Sequence, residues 1–321
     1  MCPFGKGLFE NSSESSLIML MRRLEMMKFA CAGIMMMLSP QISLAGTETT
    51  SKQPVAPPVT PPPEESWIHG DFGLNVVNEY ISRGVVFENE GAILQPYLDL
   101  YVTGYESDTG FINKFTLNLG LWDSFHSRKT QAGSNNLKYW FESDFNPGVS
   151  ITFLKHWTLS PNFFAFTSPS DAFKTVTGLN VKLAFDDSDY LKAIALHPYA
   201  TLLFEMNDGK VGSGKVTSQG QYYEVGVGPT YSAGPVTFTL PVVFGFGSNN
   251  FYARNAGFGY GSAGLNASYA LPLPKKLGIW SFNGGVAYYY LGNGLHDFNS
   301  PDIRGSDHNN LFYSGGFGMT F

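Results

Sequence analysis

The chain has 321 residues, a formal charge of −6, 15% aromatics and only 14% charged side chains, whereas soluble domains carry about 25% charged residues. The acidic balance and the lack of a basic stripe argue against nucleic acid as a partner. Beyond the amino-terminal region no apolar run approaches the ~18 residues of a spanning helix, so a membrane span would have to be built from half-apolar strands. A secreted β-sandwich or lectin-like sheet protein is the soluble alternative.

In chain order, residues 1–45 read as processed. Arg22, Arg23 and Lys28 form a basic segment, Phe29 to Leu38 an apolar one, and Ser43-Leu44-Ala45 a cleavage site before Gly46. Met21, Met26 or Met27 is the expected start of that signal peptide, because the text before Arg22 is polar and fits no signal. Residues 46–66 hold Pro57-Pro58 and Pro61-Pro62-Pro63, which favour extended conformations and bury no core. They are expected to form a periplasmic leader. Both cysteines, Cys2 and Cys31, fall in the processed part, so the mature chain offers no disulfide and no thiolate metal site. No residue pattern calls for a cofactor.

Residues 67–321 alternate with period two, one face apolar and the other small or polar. On the first span Ile68, Phe72, Leu74, Val76 and Tyr80 face outward against His69, Asp71, Asn75 and Glu79. The second sets Leu94 to Val102 against Gln95, Tyr97 and Asp99, and the third Phe115 to Leu121 against Thr116 to Trp122. On the fourth, Tyr139, Phe141 and Phe145 point out, with Trp140, Glu142, Asp144 and Asn146 inside. The fifth runs near Trp157 to Thr167. The sixth places Lys182 inside, and the seventh sets Leu196, Pro198 and Phe204 against His197, Tyr199 and Glu205. Spans eight and nine form a hairpin about Ser232-Ala233-Gly234. Three more follow, the last ending at Phe321.

Twelve spans is the expectation, with ten or fourteen open because of the stretch from Pro147 to Pro169. Connections after odd spans tend to be long and those after even spans short, as in a bacterial outer-membrane barrel with both termini in the periplasm. Tyr and Trp near span ends, among them Trp67, Tyr80, Trp157, Tyr231, Trp280 and Tyr290, suit interfacial girdles. The fold expectation is thus an all-β, antiparallel transmembrane barrel closed by its carboxy-terminal strand, located in the outer membrane of a Gram-negative cell. Its expected partners are outer-membrane lipid and lipopolysaccharide, and the barrel-assembly machinery through Phe321. A monomer is the default.

The inner face carries Asp71, Glu79, Asp99, Glu142, Asp144 and Glu205, with Lys182, His69 and His197 as counter-charges. An acidic lumen would favour cations or neutral polar solutes. A pore for small solutes or ions is the leading functional expectation. The alternatives are a plugged structural or adhesive barrel, and an outer-membrane hydrolase. For the last, Ser124 lies two residues from His126, but spacing alone does not aim one at the other. No Gly-x-Ser-x-Gly motif occurs in a strand-turn-helix setting, and the chain is expected to be no enzyme and to hold no metal.

The first hairpin reads Asn78-Glu79-Tyr80-Ile81-Ser82-Arg83-Gly84, followed by Leu94-Gln95-Pro96-Tyr97-Leu98-Asp99-Leu100. This resembles the TorF-like porin family of Gram-negative proteins over roughly residues 68 to 104 and at Phe321. The resemblance implies an outer-membrane barrel with a signal peptide but names no solute. Within this segment Arg83 is expected to reach the Glu79 carboxylate as a clamp, or to line a constriction. Gly84 is expected to take a positive φ or to permit close packing.

Overall fold

The structure, a computed structural model, describes residues 67–128, 135–207, 219–249, 251–252, 257–293, 295 and 308–321. The expected signal peptide and Pro-rich leader lie outside the described residues.

In chain order the strands are β1 (Ile68–Val77), β2 (Tyr80–Ser82), β3 (Val85–Glu88), β4 (Ile93–Glu106), β5 (Ile112–His126), β6 (Trp140–Phe153), β7 (Trp157–Thr167) and β8 (Val176–Phe185). A short helix α1 (Ser188–Leu191) precedes β9 (Tyr199–Glu205). Then come β10 (Gln221–Val227), β11 (Thr230–Ala233), β12 (Val236–Thr239), β13 (Val242–Gly247), β14 (Gly257–Ala270), β15 (Ile279–Leu291) and β16 (Asn309–Thr320).

Fourteen of these strands form one antiparallel sheet, and β2 with β3 forms a separate pair. The fourteen make twelve spans. Pro229 separates β10 from β11 and Pro241 separates β12 from β13, each a residue without the N–H that a ladder needs. The sheet closes on itself because β1 pairs with β16 from Asp71↔Thr320 to Val77↔Ser314. Past that ladder the Gly70 N–H donates to the Phe321 carbonyl at 3.0 Å and the Phe321 N–H to the Gly70 carbonyl at 2.9 Å. Closure gives the first and last spans each a second paired neighbour, which removes the edges an open sheet would leave there.

Large apolar side chains stand exposed along the outside, including Leu117 (49%), Phe145 (47%), Phe244 (46%) and Phe282 (58%). In water such a continuous apolar wall would drive aggregation, and in lipid it is the favoured solvent. The twelve-span expectation holds, including the Lys155-His156 turn between β6 and β7; the hairpin expected about Ser232-Ala233-Gly234 turns slightly later, at Gly234-Pro235, because Ser232 and Ala233 still belong to β11.

Three details differ from the alternation read along the sequence. The first span stops at Val77, because the Asn78 side chain takes over the ladder: its Nδ2 donates to the Leu311 carbonyl at 2.9 Å and its Oδ1 accepts the Tyr313 N–H at 2.7 Å. Tyr80, expected outside, is instead fully buried within the barrel. On β6 a bulge shifts the register, so that Ser124 faces Glu142 while Phe125 faces Trp140. The extra residue is Phe141, which turns inward and is 3% exposed, while Trp140 stacks on Phe125 at 5.4 Å. Lastly, Leu196 to Pro198 precede β9, so the seventh span begins at Tyr199.

Candidate functional site

The long-loop end of the barrel is filled from within by β2 and β3. Two consecutive positive φ angles, 50° at Arg83 and 81° at Gly84, fold the chain back so that Ser82 faces Val85. That is the geometry of the primed two-residue turn favoured by strand twist, with glycine at the second position. A Cβ on Gly84 would lie 2.6 Å from Leu295 Cδ1 and 2.9 Å from Tyr260 Cδ1, so the glycine serves both expectations placed on it. Arg83 is the strained member, since a side chain costs about 1–2 kcal/mol in the left-handed region.

Polar and aromatic contacts seat this hairpin on the wall. The Tyr80 hydroxyl donates to Glu142 on β6 at 2.7 Å, and the Tyr80 ring packs on Phe87 (5.1 Å) and Trp122 (5.4 Å). The Tyr252 hydroxyl donates to the Arg83 carbonyl at 2.8 Å. The Arg83 guanidinium lies over Phe166 (5.3 Å) and Tyr222 (5.8 Å) and acts electrostatically on Glu142 and Asp144. On the far strand of the hairpin, Glu88 Oε2 stands 4.0 Å from His126 Nδ1, and His126 Nε2 is hydrogen-bonded to Ser124 Oγ at 2.9 Å.

Ser124, His126 and Glu88 therefore form an ordered row, which sequence spacing could not establish. Ser124 is fully buried under the hairpin, so a substrate would reach it only with β2 and β3 displaced.

The named lumen candidates fall at different heights. Asp71 and Asp99 face each other across β1 and β4, with Tyr101 near Asp71. Glu142 and Asp144 share the inner face of β6 and are nearly fully buried. Lys182 on β8 places its ammonium 4.3 Å from the centroid of the Tyr199 ring. Glu205 ends β9, buried, and accepts the Gly220 N–H at 2.9 Å.

Glu79 lies between β1 and β2, where burial pushes its carboxyl up to about 7. Its Oε2 is buried with no hydrogen-bond partner. The expected Arg83–Glu79 clamp is replaced by the approach of Arg83 to Glu142 and Asp144, because β2 leaves the line of β1 after Asn78.

His197 is likewise displaced from the expected inner face. It sits in the connection between β8 and β9 at φ 48°, with Nδ1 3.6 Å from Asp186 Oδ1 and 3.8 Å from Asp187 Oδ1. Burial acts to raise the Asp187 pKa, but the backbone N–H groups of His197 and Leu196 outweigh it and hold the carboxyl below its ordinary value. This group is the one set of His and acidic ligands among the described residues close enough to share a metal ion. Its carboxylate oxygens already accept backbone N–H bonds that close the turn.

Sequence reasoning had not singled out Glu224. It accepts the hydroxyls of Tyr199 (2.9 Å), Tyr260 (2.9 Å) and Tyr222. Its flanks, Tyr223 and Val225, are exposed on the outside, and that local signal could have found it.

The fold and its apolar girth define a transmembrane β-barrel with an occupied long-loop end and a polar inner wall. No protein-family model and no curated protein matches the chain. Among solved structures, the NanC porin is similar at 13% identity over 77% of this chain and 98% of its own, with a TM-score of 0.42. Outer membrane phospholipase A from Escherichia coli is similar at 12% identity over 78% and 92%, with a TM-score of 0.43. The transport unit of the autotransporter AIDA-I from Escherichia coli is similar at 9% identity over 87% and 94%, with a TM-score of 0.40.

Proposed function

We propose that the protein is an outer-membrane channel of a Gram-negative cell, admitting small polar solutes or cations and narrowed by its first-loop hairpin. The observation that carries the reading is the seating of β2 and β3 inside the barrel through the Tyr80–Glu142 bond and the Arg83 contacts, above an inner wall lined with polar side chains. A barrel that needed only a structural core would gain more from apolar filling, since buried charges cost free energy unless well paired. Asp71, Asp99, Glu142, Asp144, Glu205 and Glu224 outnumber Arg83 and Lys182 among the inward groups placed above, which favours cations through focusing of the field. The resemblance of residues 68 to 104 to the TorF-like porin family supports the same reading. On it, the long loops face outward and the short turns face the periplasm.

Single-channel recording of the mature chain in planar bilayers tests this. The intact barrel is expected to give small cation-selective steps. Replacing residues 79–91 by a short Gly-Ser linker is expected to enlarge them several-fold. A folded barrel silent in both forms would make it a structural or adhesive protein.

One observation favours a second reading, a hydrolase. Ser124, His126 and Glu88 have the order of a nucleophile, a base and an orienting carboxylate. A fluorophosphonate probe that labels the wild-type protein and spares Ser124→Ala would establish it. The channel reading expects no labelling.

A further inference from the structure

The connection between β8 and β9 gathers a nitrogen donor and two carboxylates at one solvent-facing point. Asp186 and Asp187 follow β8, and His197 precedes β9. One ligand atom from each, a ring nitrogen of His197 and a carboxylate oxygen of either acid, lies within 4.8 Å of the other two. The group is open to solvent, with side-chain exposures of 60% at Asp186 and 35% at His197 beside an Asp187 that is 8% exposed. No metal is expected from the sequence, because these residues share no motif spacing.

Two distances suit an ion held between the donors better than bonds from one donor to another. His197 Nδ1 stands 3.6 Å from Asp186 Oδ1 and 3.8 Å from Asp187 Oδ1, both beyond the roughly 2.7–3.2 Å of a hydrogen bond. Two ligands of a tetrahedral ion, each about 2.0–2.1 Å from the metal, are roughly 3.3–3.4 Å apart. The imidazole therefore faces both oxygens near the spacing that a shared metal sets.

The backbone holds the donors in place. Asp187 Oδ1 accepts the N–H groups of Leu196 at 3.0 Å and His197 at 2.9 Å, which fixes His197 against it, and Asp186 Oδ1 accepts the Ser188 N–H at 3.0 Å. A carboxylate has about four lone-pair positions, more than these amides take up.

His156 adds a second imidazole from the neighbouring turn between β6 and β7. Its carbonyl accepts the Asp186 N–H at 2.8 Å, which ties the two turns together. Its ring and that of His197 both act electrostatically on the Asp186 carboxylate. Imidazole with carboxylate is a donor set for zinc and its neighbours in the transition series, whereas calcium takes about six to eight oxygens. We propose that the connection between β8 and β9 binds a divalent ion of the zinc class through His197, Asp186 and Asp187, with His156 alongside. The ion's two charges balance the two carboxylates about a neutral imidazole. It would pin the end of the barrel opposite the inserted hairpin, whether or not the barrel conducts.

The test uses the refolded mature chain in detergent micelles, without a tag and free of Cys2 and Cys31. Titration with zinc chloride against a competing chromophoric chelator is expected to show one tight equivalent that calcium chloride does not displace. His197→Asn, a residue type that tolerates the positive φ of 48°, and Asp186→Asn are each expected to weaken binding about tenfold or more. Zinc should also raise the thermal unfolding midpoint of the wild-type barrel more than that of His197→Asn. If one variant does not refold, the other decides. No tight equivalent, or wild-type affinity in the variants, overturns the site and leaves a turn held by its amides alone. Displacement of zinc by calcium at matched concentration overturns the zinc class in favour of a site of oxygens.

Discussion

The Tyr80 hydroxyl and the Glu142 carboxylate, 62 positions apart in the chain, meet at 2.7 Å with both residues buried. The bond joins the inserted hairpin to the barrel wall, so its loss should free the hairpin before it harms the barrel. Tyr80→Phe is expected to weaken hairpin docking by about 1.5–3 kcal/mol, the usual worth of a hydrogen bond to a charged group. Limited proteolysis of residues 78–92 should become faster, while heat-modifiability of the barrel on a gel stays near wild type.

Gly84 sets a steric test of the same joint. Gly84→Val would thrust its side chain toward Leu295 and Tyr260, whose atoms lie within 3 Å of the Cβ position, from a φ of 81° that a β-branched residue resists. The hairpin is expected to leave its seat. Channel current should rise toward that of the linker-replaced barrel.

Docking should also depend on pH through Glu79. Burial raises its carboxyl from 4.5 to about 7, so the folded state holds the proton between these values when the unfolded chain does not. Stability from this group is therefore greatest below about pH 4.5 and falls as pH rises toward 7. Hairpin release, read by proteolysis or current, should grow from pH 5 to pH 8. Glu79→Gln should flatten that slope, and a slope unchanged in Glu79→Gln would sink the assignment.

The turn between β8 and β9 has the opposite sign. The Asp187 carboxyl is held low by the N–H groups it accepts, against the upward push of burial. Its contribution is present above the ordinary aspartate pKa of 3.8 and is lost as pH falls through the lower folded value. Asp187→Ala removes the cap of the Leu196 and His197 amides and should cost about 0.5–2 kcal/mol in urea unfolding near neutral pH.

Much of this fold is legible because lipid outside and water or polar groups inside enforce period two, and Leu98, Leu119 and Val181 obey it. The inserted hairpin was hidden by the same rule. Alternation ran on from Val76 through Asn78 to Tyr80, and nothing in residue type shows that an asparagine side chain has ended the ladder. Phe141 was misread for a related reason, since a bulge adds one residue and inverts the faces beyond it without any change in composition. The acidic residues of the wall could be found by face alone, whereas the row of Ser124, His126 and Glu88 depends on where β3 lies. Long-range seating of a loop leaves no local pattern.

The pairing of β1 with β16 also imposes an order in time. The first of the described strands finds its lasting neighbour in the last, from Asp71 beside Thr320 onward. Until they meet, both hold open hydrogen-bonding edges in a chain whose apolar outer face has no lipid to enter. A separation of this length makes closure entropically late and slow. The seam can therefore form only after every span between them has been supplied, whereas neighbouring hairpins such as β4–β5 and β5–β6 can pair locally beforehand.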